Sequence, residues 1–230
     1  MPKYTVGFCA WANPLESKPV LAFASPAVDT LCVSKIVCIA GNRRPDNYTA
    51  KALAFVASEL TGRGASVTTF DGRYLDLAFP GEPETSDAKR LKEGVDECDA
   101  VVFATPEYHG TFSAYAKLII ENLSYPSLLK GKPVGLLGVA SGRIGAIKSL
   151  EHLRSSCAHL GAIVMPGAIS IAGVRRAFDE EGNCIDSGAG QALQHLAENL
   201  IDFIHNYVRP KEILEEMIRA GHEPPWATST

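Results

Sequence analysis

The chain has 230 residues, 46% of them hydrophobic and 21% charged, with a formal net charge of −4. That balance can bury a full core and lacks the basic face that nucleic-acid binding requires. No apolar run approaches the roughly 18 residues of a membrane span, so neither nucleic acid nor membrane is an expected partner.

Residues 1–34 differ in character from the rest of the chain. They hold four prolines (Pro2, Pro14, Pro19, Pro26), no arginine and no clear period. Ala22-Phe23-Ala24 resembles a signal cleavage site, but Glu16, Lys18 and Pro19 interrupt the apolar stretch that should precede it. The segment reads as an N-terminal extension: an arm that packs on a neighbour, or the product of a start codon assigned too far upstream.

From Lys35 a regular alternation begins. The apolar run Lys35–Ala40 predicts a strand, followed by a helix near Thr49–Leu60 with Leu53, Ala54, Ala57 and Leu60 on one face. Gly62 and Gly64 end it. A strand at Ser66–Phe70 leads through a polar connection to a helix near Asp87–Glu97, with Ala88, Leu91 and Val95 inward. A strand at Ala100–Thr105 precedes a helix at Ser113–Leu123. Next come a strand at Val134–Val139, a helix from about Gly145 to Leu160, and a strand at Ala162–Met165. A last helix near Ala192–Val208 closes a domain of residues 35–208. Residues 209–230 read as a C-terminal tail with one more helix, Lys211–Ala220. Five near-continuous apolar strands alternating with helices predict a doubly wound parallel α/β sheet covered on both faces. With five strands the flavodoxin-like order 2-1-3-4-5 is expected, with its switch point between the first and third strands.

The six cysteines (Cys9, Cys32, Cys38, Cys98, Cys157, Cys184) form no C-x-x-C pair. Cys38, Cys98 and Cys157 take apolar positions and are expected as buried thiols in a reducing cytoplasm. His152 and His159 lie seven residues apart on one helix with no third ligand in the pattern, so no metal is expected.

The first and third strands each end in a polar, glycine-containing turn that opens a helix. The first turn is Gly41-Asn42-Arg43-Arg44-Pro45-Asp46-Asn47-Tyr48-Thr49. Free backbone N–H groups and the helix dipole favour an anion there, with Asn42, Asn47 and Thr49 as donors and an arginine as the charge. Asn47 or Asp46 would equally serve as a helix cap, and Arg43 and Arg44 as solvated side chains. The turn is neither a dinucleotide fingerprint nor a Walker loop. The second turn, Thr105-Pro106-Glu107-Tyr108-His109-Gly110-Thr111, offers an aromatic surface in Tyr108 and backbone donors from Glu107 to Gly110. The plainer reading has Tyr108 packing the helix base and His109 capping the next helix. A third loop, Ser141-Gly142-Arg143-Ile144-Gly145-Ala146, follows the fourth strand.

Together these turns resemble the NADPH-dependent FMN reductase family, whose members share a flavodoxin-like fold and include flavin, quinone, azo-dye and chromate reductases. The family's first turn reads G-S-x-R-x-x-S; here the arginine stands as Arg44 and asparagines replace both serines. Its second turn, P-E-Y-[NH]-G-S, is closely matched by Pro106 to Thr111. Its next helix is matched at Lys117 and by the acid Glu121, while Leu118 replaces an asparagine. The resemblance spans about Lys35 to Val208.

It implies FMN as cofactor, NADPH or NADH as co-substrate, and hydride passed through the flavin to a small-molecule electron acceptor by a ping-pong mechanism. No protein acid is then required. The cofactor-binding residues it implies are Asn42, Arg44, Asn47, Tyr48 and Thr49 for the phosphate. For the ring they are Pro106, Glu107, Tyr108, His109, Ser141, Gly142 and Arg143. A homodimer or homotetramer is implied as well. The alternative from another class is a non-catalytic flavodoxin-like electron carrier.

Overall fold

The structure is a computed structural model and describes residues 33–222. The expected extension, apart from Val33 and Ser34, and the Pro224-Pro225 end of the tail lie outside the described residues.

Strands β1 (Lys35–Ala40), β2 (Ser66–Asp71), β3 (Ala100–Tyr108) and β5 (Pro133–Val139) are joined by helices α1 (Tyr48–Gly62), α2 (Ser86–Glu97), α3 (Ala114–Glu121) and α4 (Ile147–His159). A two-residue strand, β4 (Thr111–Phe112), folds back antiparallel on β3. Beyond α4, two short strands, β6 (Ile163–Val164) and β7 (Ile169–Ile171), both pair parallel with β5. The order along the sheet is β2-β1-β3-β5-β6, with β7 continuing the β6 edge. This is the flavodoxin-like winding. The fifth strand differs from expectation by coming in two pieces, with Pro166-Gly167 in the interval; proline offers no ladder donor, and Gly167 takes a φ of 74°.

Strand alternation sorts the core into two layers. Ile36, Cys38 and Ala40 of β1 and Ala100, Val102 and Ala104 of β3 face α1 and the long helix α5 (Ser187–Phe203). Val37, Ile39, Val101 and Phe103 face α2, α3 and α4. The α5 helix starts five residues before the Ala192 read from sequence, because Gly188 and Gly190 leave its first turn without an apolar stripe. Asp186 caps that turn, its side chain accepting the Ala189 N–H. A π turn at Ile204–Val208 carries α5 without interruption into α6 (Arg209–Arg219). Arg209 fixes the joint through Asp99, 2.6 Å away at the foot of β3.

All the parallel strands run the same way, so the turns after β1, β3, β5 and β7 lie on one edge of the sheet. The residues singled out in sequence occupy that edge.

Candidate functional site

The β1 turn begins with a close approach. The Gly41 N–H donates to Ala104 O of β3 at 2.8 Å. A Cβ on Gly41 would stand 2.7 Å from Ala116 Cβ and 3.1 Å from Ala104 O, so only glycine lets the chain leave β1 so near α3. Ser113, the cap of α3, closes the contact by donating its hydroxyl to Gly41 O.

Asn42 is buried and ties the turn together. Its Oδ1 accepts the Arg44 N–H at 3.1 Å and the Tyr108 hydroxyl at 3.3 Å, and its Nδ2 donates to Thr49 Oγ1 at 3.4 Å. Asn47 uses both ends of its amide. The oxygen accepts the Ala50 N–H at 2.8 Å as the cap of α1, and the nitrogen donates to Arg44 O at 2.6 Å. Asn47 is therefore the helix cap and a brace for the loop, the plainer of its two readings. The backbone N–H groups of Tyr48 and Thr49, the first two of α1, make no hydrogen bond to any described residue. They lie at the positive end of the helix dipole and are open to an anion.

The neighbouring arginines diverge. Arg43 lies over the Tyr115 ring at 5.7 Å, while Arg44 lies over the Tyr108 ring at 5.4 Å. The turn after β1 thus meets the turn after β3 twice, once through Asn42 and once through Arg44.

The β3 strand runs on to Tyr108 and reverses at His109 and Gly110, whose φ values of 51° and 77° are both positive. That is the requirement of a tight two-residue hairpin, and it produces β4. The hairpin's base is set by Thr105 Oγ1, which accepts the Ser113 N–H at 3.2 Å. Glu107 Oε2 accepts the Ser149 N–H at 3.1 Å in the first turn of α4, a helix whose own N-cap, Ala146, offers no side-chain bond. This carboxylate therefore ties the second turn to the third loop.

The third wall comes from β5 and β7. The Ala140 N–H donates to Ile171 O, and the Val174 N–H returns to Ala140 O, both at 3.0 Å. A 3-10 turn, Val174–Arg176, then brings Val174 and Arg175 to the rim.

These walls enclose a cavity of about 400 Å³, within the roughly 300–1,000 Å³ typical of small-ligand sites. Of the residues named from sequence, Asn42, Arg44, Asn47, Tyr48, Thr49, Pro106, Glu107, Tyr108 and Ser141 line it. His109, Gly142 and Arg143 do not: His109 is exposed at the hairpin tip, and Gly142 and Arg143 are exposed in the loop beyond Ser141. Sequence reading missed Pro45, Asp46, Val139, Ala140, Val174 and Arg175. Val139 and Ala140 end a strand already recognised and could have been inferred from its position. Val174 and Arg175 follow β7, which lay outside the strand read at Ala162–Met165.

The residues present suit a flavin nucleotide. Two uncommitted N–H groups, a guanidinium, an aromatic side chain and strand-end backbone meet on one cavity.

The family model described as NADPH-dependent FMN reductase matches residues 34–175. An NAD(P)H-dependent FMN reductase of Pseudomonas aeruginosa is 29% identical over 177 residues, covering 72% of this chain and 92% of that protein. An FMN-dependent NADPH-azoreductase of Staphylococcus aureus is 32% identical over 182 residues, covering 75% of this chain and 96% of its own length. Among solved structures, a flavoenzyme NAD(P)H:acceptor oxidoreductase from Paracoccus denitrificans superposes with a TM-score of 0.62 at 23% identity. The match covers 76% of this chain and 99% of that one, and it shows the shared fold.

Proposed function

Because the chain belongs to the NADPH-dependent FMN reductase family, we propose that it is an FMN-dependent NAD(P)H oxidoreductase acting on a small-molecule acceptor such as a quinone, an azo compound, a metal oxyanion or free flavin. The observation that carries the reading is the meeting of Arg44 and Tyr108, from the ends of adjacent strands, on one cavity beside the open N–H groups of Tyr48 and Thr49.

The residues divide the work by position. The Tyr48 and Thr49 N–H groups and the Arg44 guanidinium hold the phosphate, a charge-assisted set at a helix N-terminus. Asn42 orients this set by fixing the Arg44 backbone and the Tyr108 hydroxyl together. Pro106, Glu107 and Tyr108 offer backbone and ring surface to the flat, amphipathic part of the cofactor. Ser141 flanks it, and the exposed Gly142 and Arg143 lie where a dinucleotide or acceptor would approach. When bound, FMN would supply the redox chemistry, carrying reducing equivalents from NAD(P)H to the acceptor in alternating half-reactions at one site. The protein contributes position and electrostatics and needs no acid or base of its own.

Purified protein reconstituted with FMN should be yellow and should bleach within seconds of adding NADPH or NADH under anaerobic conditions, without a partner reductase. Persistent colour after either dinucleotide would remove the enzyme reading and leave a flavin carrier. A homodimer or homotetramer in the cytoplasm is part of the proposal. Light scattering after size exclusion should return a multiple of the chain mass, and a monomer at assay concentration would contradict it.

A further inference from the structure

Four charged residues line the cavity: Arg44, Asp46, Glu107 and Arg175. Three already have work within the fold. Asp46 pairs with Lys51 at 3.3 Å, Glu107 accepts from the first turn of α4, and Arg44 rests on the Tyr108 ring. Arg175 alone of the four has no hydrogen bond, ion pair or ring contact with any described residue.

Its backbone is nonetheless held firmly. Val174 is 2% exposed, and its N–H is bonded to Ala140 O. Gly173, in the left-handed region at a φ of 56°, donates its N–H to Gly142 O. Three residues on, the Phe178 ring meets the Tyr48 ring at 6.5 Å, which docks this segment against the first turn of α1. The next residue, Arg176, turns away and lines a separate groove at the start of α5. An exposed arginine is thus presented at the rim of the cavity that Arg44, Tyr48 and Thr49 also line, on a backbone segment docked against the first turn of α1.

The charge balance calls for such a group. A phosphomonoester carries about −1.5 to −2 at neutral pH. Arg44 supplies +1, and the α1 terminus about +0.5. The Asp46 carboxylate nearby is answered by Lys51. Against a fully ionised phosphate the cradle is short by about half a positive charge, which a further cation would supply.

We propose that Arg175 is a phosphate-binding residue of this cavity, a second guanidinium for a phosphomonoester beside that of Arg44. The inference rests on the flavin-nucleotide reading of the same cavity. Two phosphomonoesters qualify, the 5′-phosphate of FMN and the 2′-phosphate of NADPH.

The test compares the wild type with Arg175→Ala, Arg175→Lys and the neighbouring control Arg176→Ala. Affinities for FMN and for riboflavin, which lacks the phosphate, are read from flavin fluorescence quenching, and KM is measured for NADPH and NADH. Arg175→Ala should weaken FMN about tenfold or more, as loss of charge-assisted hydrogen bonds does. Riboflavin should stay within twofold, Arg175→Lys should restore part of the loss, and Arg176→Ala should match the wild type. Unchanged FMN affinity with a raised KM for NADPH alone would assign the same role to the dinucleotide's 2′-phosphate. Equal loss of FMN and riboflavin, or no change in any of the four ligands, would overturn the proposal. Wild-type protein that fails to bind FMN would instead remove the flavin reading. Direct titration of NADPH and NADH by their own fluorescence would then decide the role of Arg175, weakened NADPH binding in Arg175→Ala supporting it and unchanged binding overturning it.

Discussion

Arg44 and Asn47 sit three residues apart in one turn and carry separable jobs. Arg44→Ala removes a guanidinium that supports no other part of the fold beyond the Tyr108 ring face. FMN affinity should fall by about tenfold or more in a fluorescence titration, with the melting temperature nearly unchanged. Asn47→Ala removes the α1 cap and the brace on Arg44 O together, and should cost about 1–2 kcal/mol in urea unfolding. Asn47→Asp keeps an oxygen for the Ala50 N–H but places a negative charge beside the proposed phosphate site. It should retain much more of the stability than Asn47→Ala yet lose FMN affinity, and an Asp variant that binds FMN normally would contradict the phosphate position. Sequence alone left Asn47 open because an amide both donates and accepts. Only the placement of the Ala50 N–H and Arg44 O decided which it does. Arg44 rather than Arg43 was named from the motif resemblance, and the two side chains part company on different rings, Tyr108 and Tyr115.

At the level of elements, the β1 and β3 turns were legible because their residue types and their place after apolar strands pointed to one edge. The β3–β4 hairpin was not, since His109-Gly110 carries its signal in backbone angles and β4 is only two residues long. The split of the fifth strand and the early start of α5 escaped for a related reason: short strands and glycine-containing helix turns leave no apolar period to count. The link from Glu107 to α4 is tertiary and has no local signature at all. It predicts that Glu107→Ala frees the Ser149 N–H and loosens residues 141–146. Hydrogen exchange at Ser149 should quicken by roughly tenfold or less, corresponding to about 0.5–1 kcal/mol for the lost cap. Glu107→Gln, which keeps an accepting oxygen, should restore most of the protection. Exchange unchanged in the alanine variant would show that the carboxylate does not hold the loop.

Across the whole molecule, the two-layer core makes three cysteines inert. Burial pushes the Cys38 and Cys157 thiols up to about 12 and Cys98 to about 11, with Cys98 adding to the shift at Cys38. A thiol raised in the folded state contributes its full stability below its unfolded pKa, near 8.5–9, and loses it as pH climbs toward the folded value. Unfolding free energy should accordingly fall between about pH 9 and 12. Replacing Cys38 or Cys157 by alanine should flatten that slope even while lowering stability at pH 7. In native protein at pH 8, peptide mapping after alkylation should find Cys38, Cys98 and Cys157 unmodified and the half-buried Cys184 labelled first among the described cysteines. The layers were legible as a whole because strand alternation and helix period repeat along the chain. What they position, the common rim of four strands, follows from right-handed parallel winding.

That rim is the centre of the account, and a crystal structure of the protein grown with FMN tests it most directly. The phosphate should lie against the Tyr48 and Thr49 N–H groups with Arg44 turned toward it, and the ring should rest beside Tyr108 between the ends of β3 and β5. A flavin bound elsewhere on the surface, or a phosphate held away from the start of α1, would contradict it.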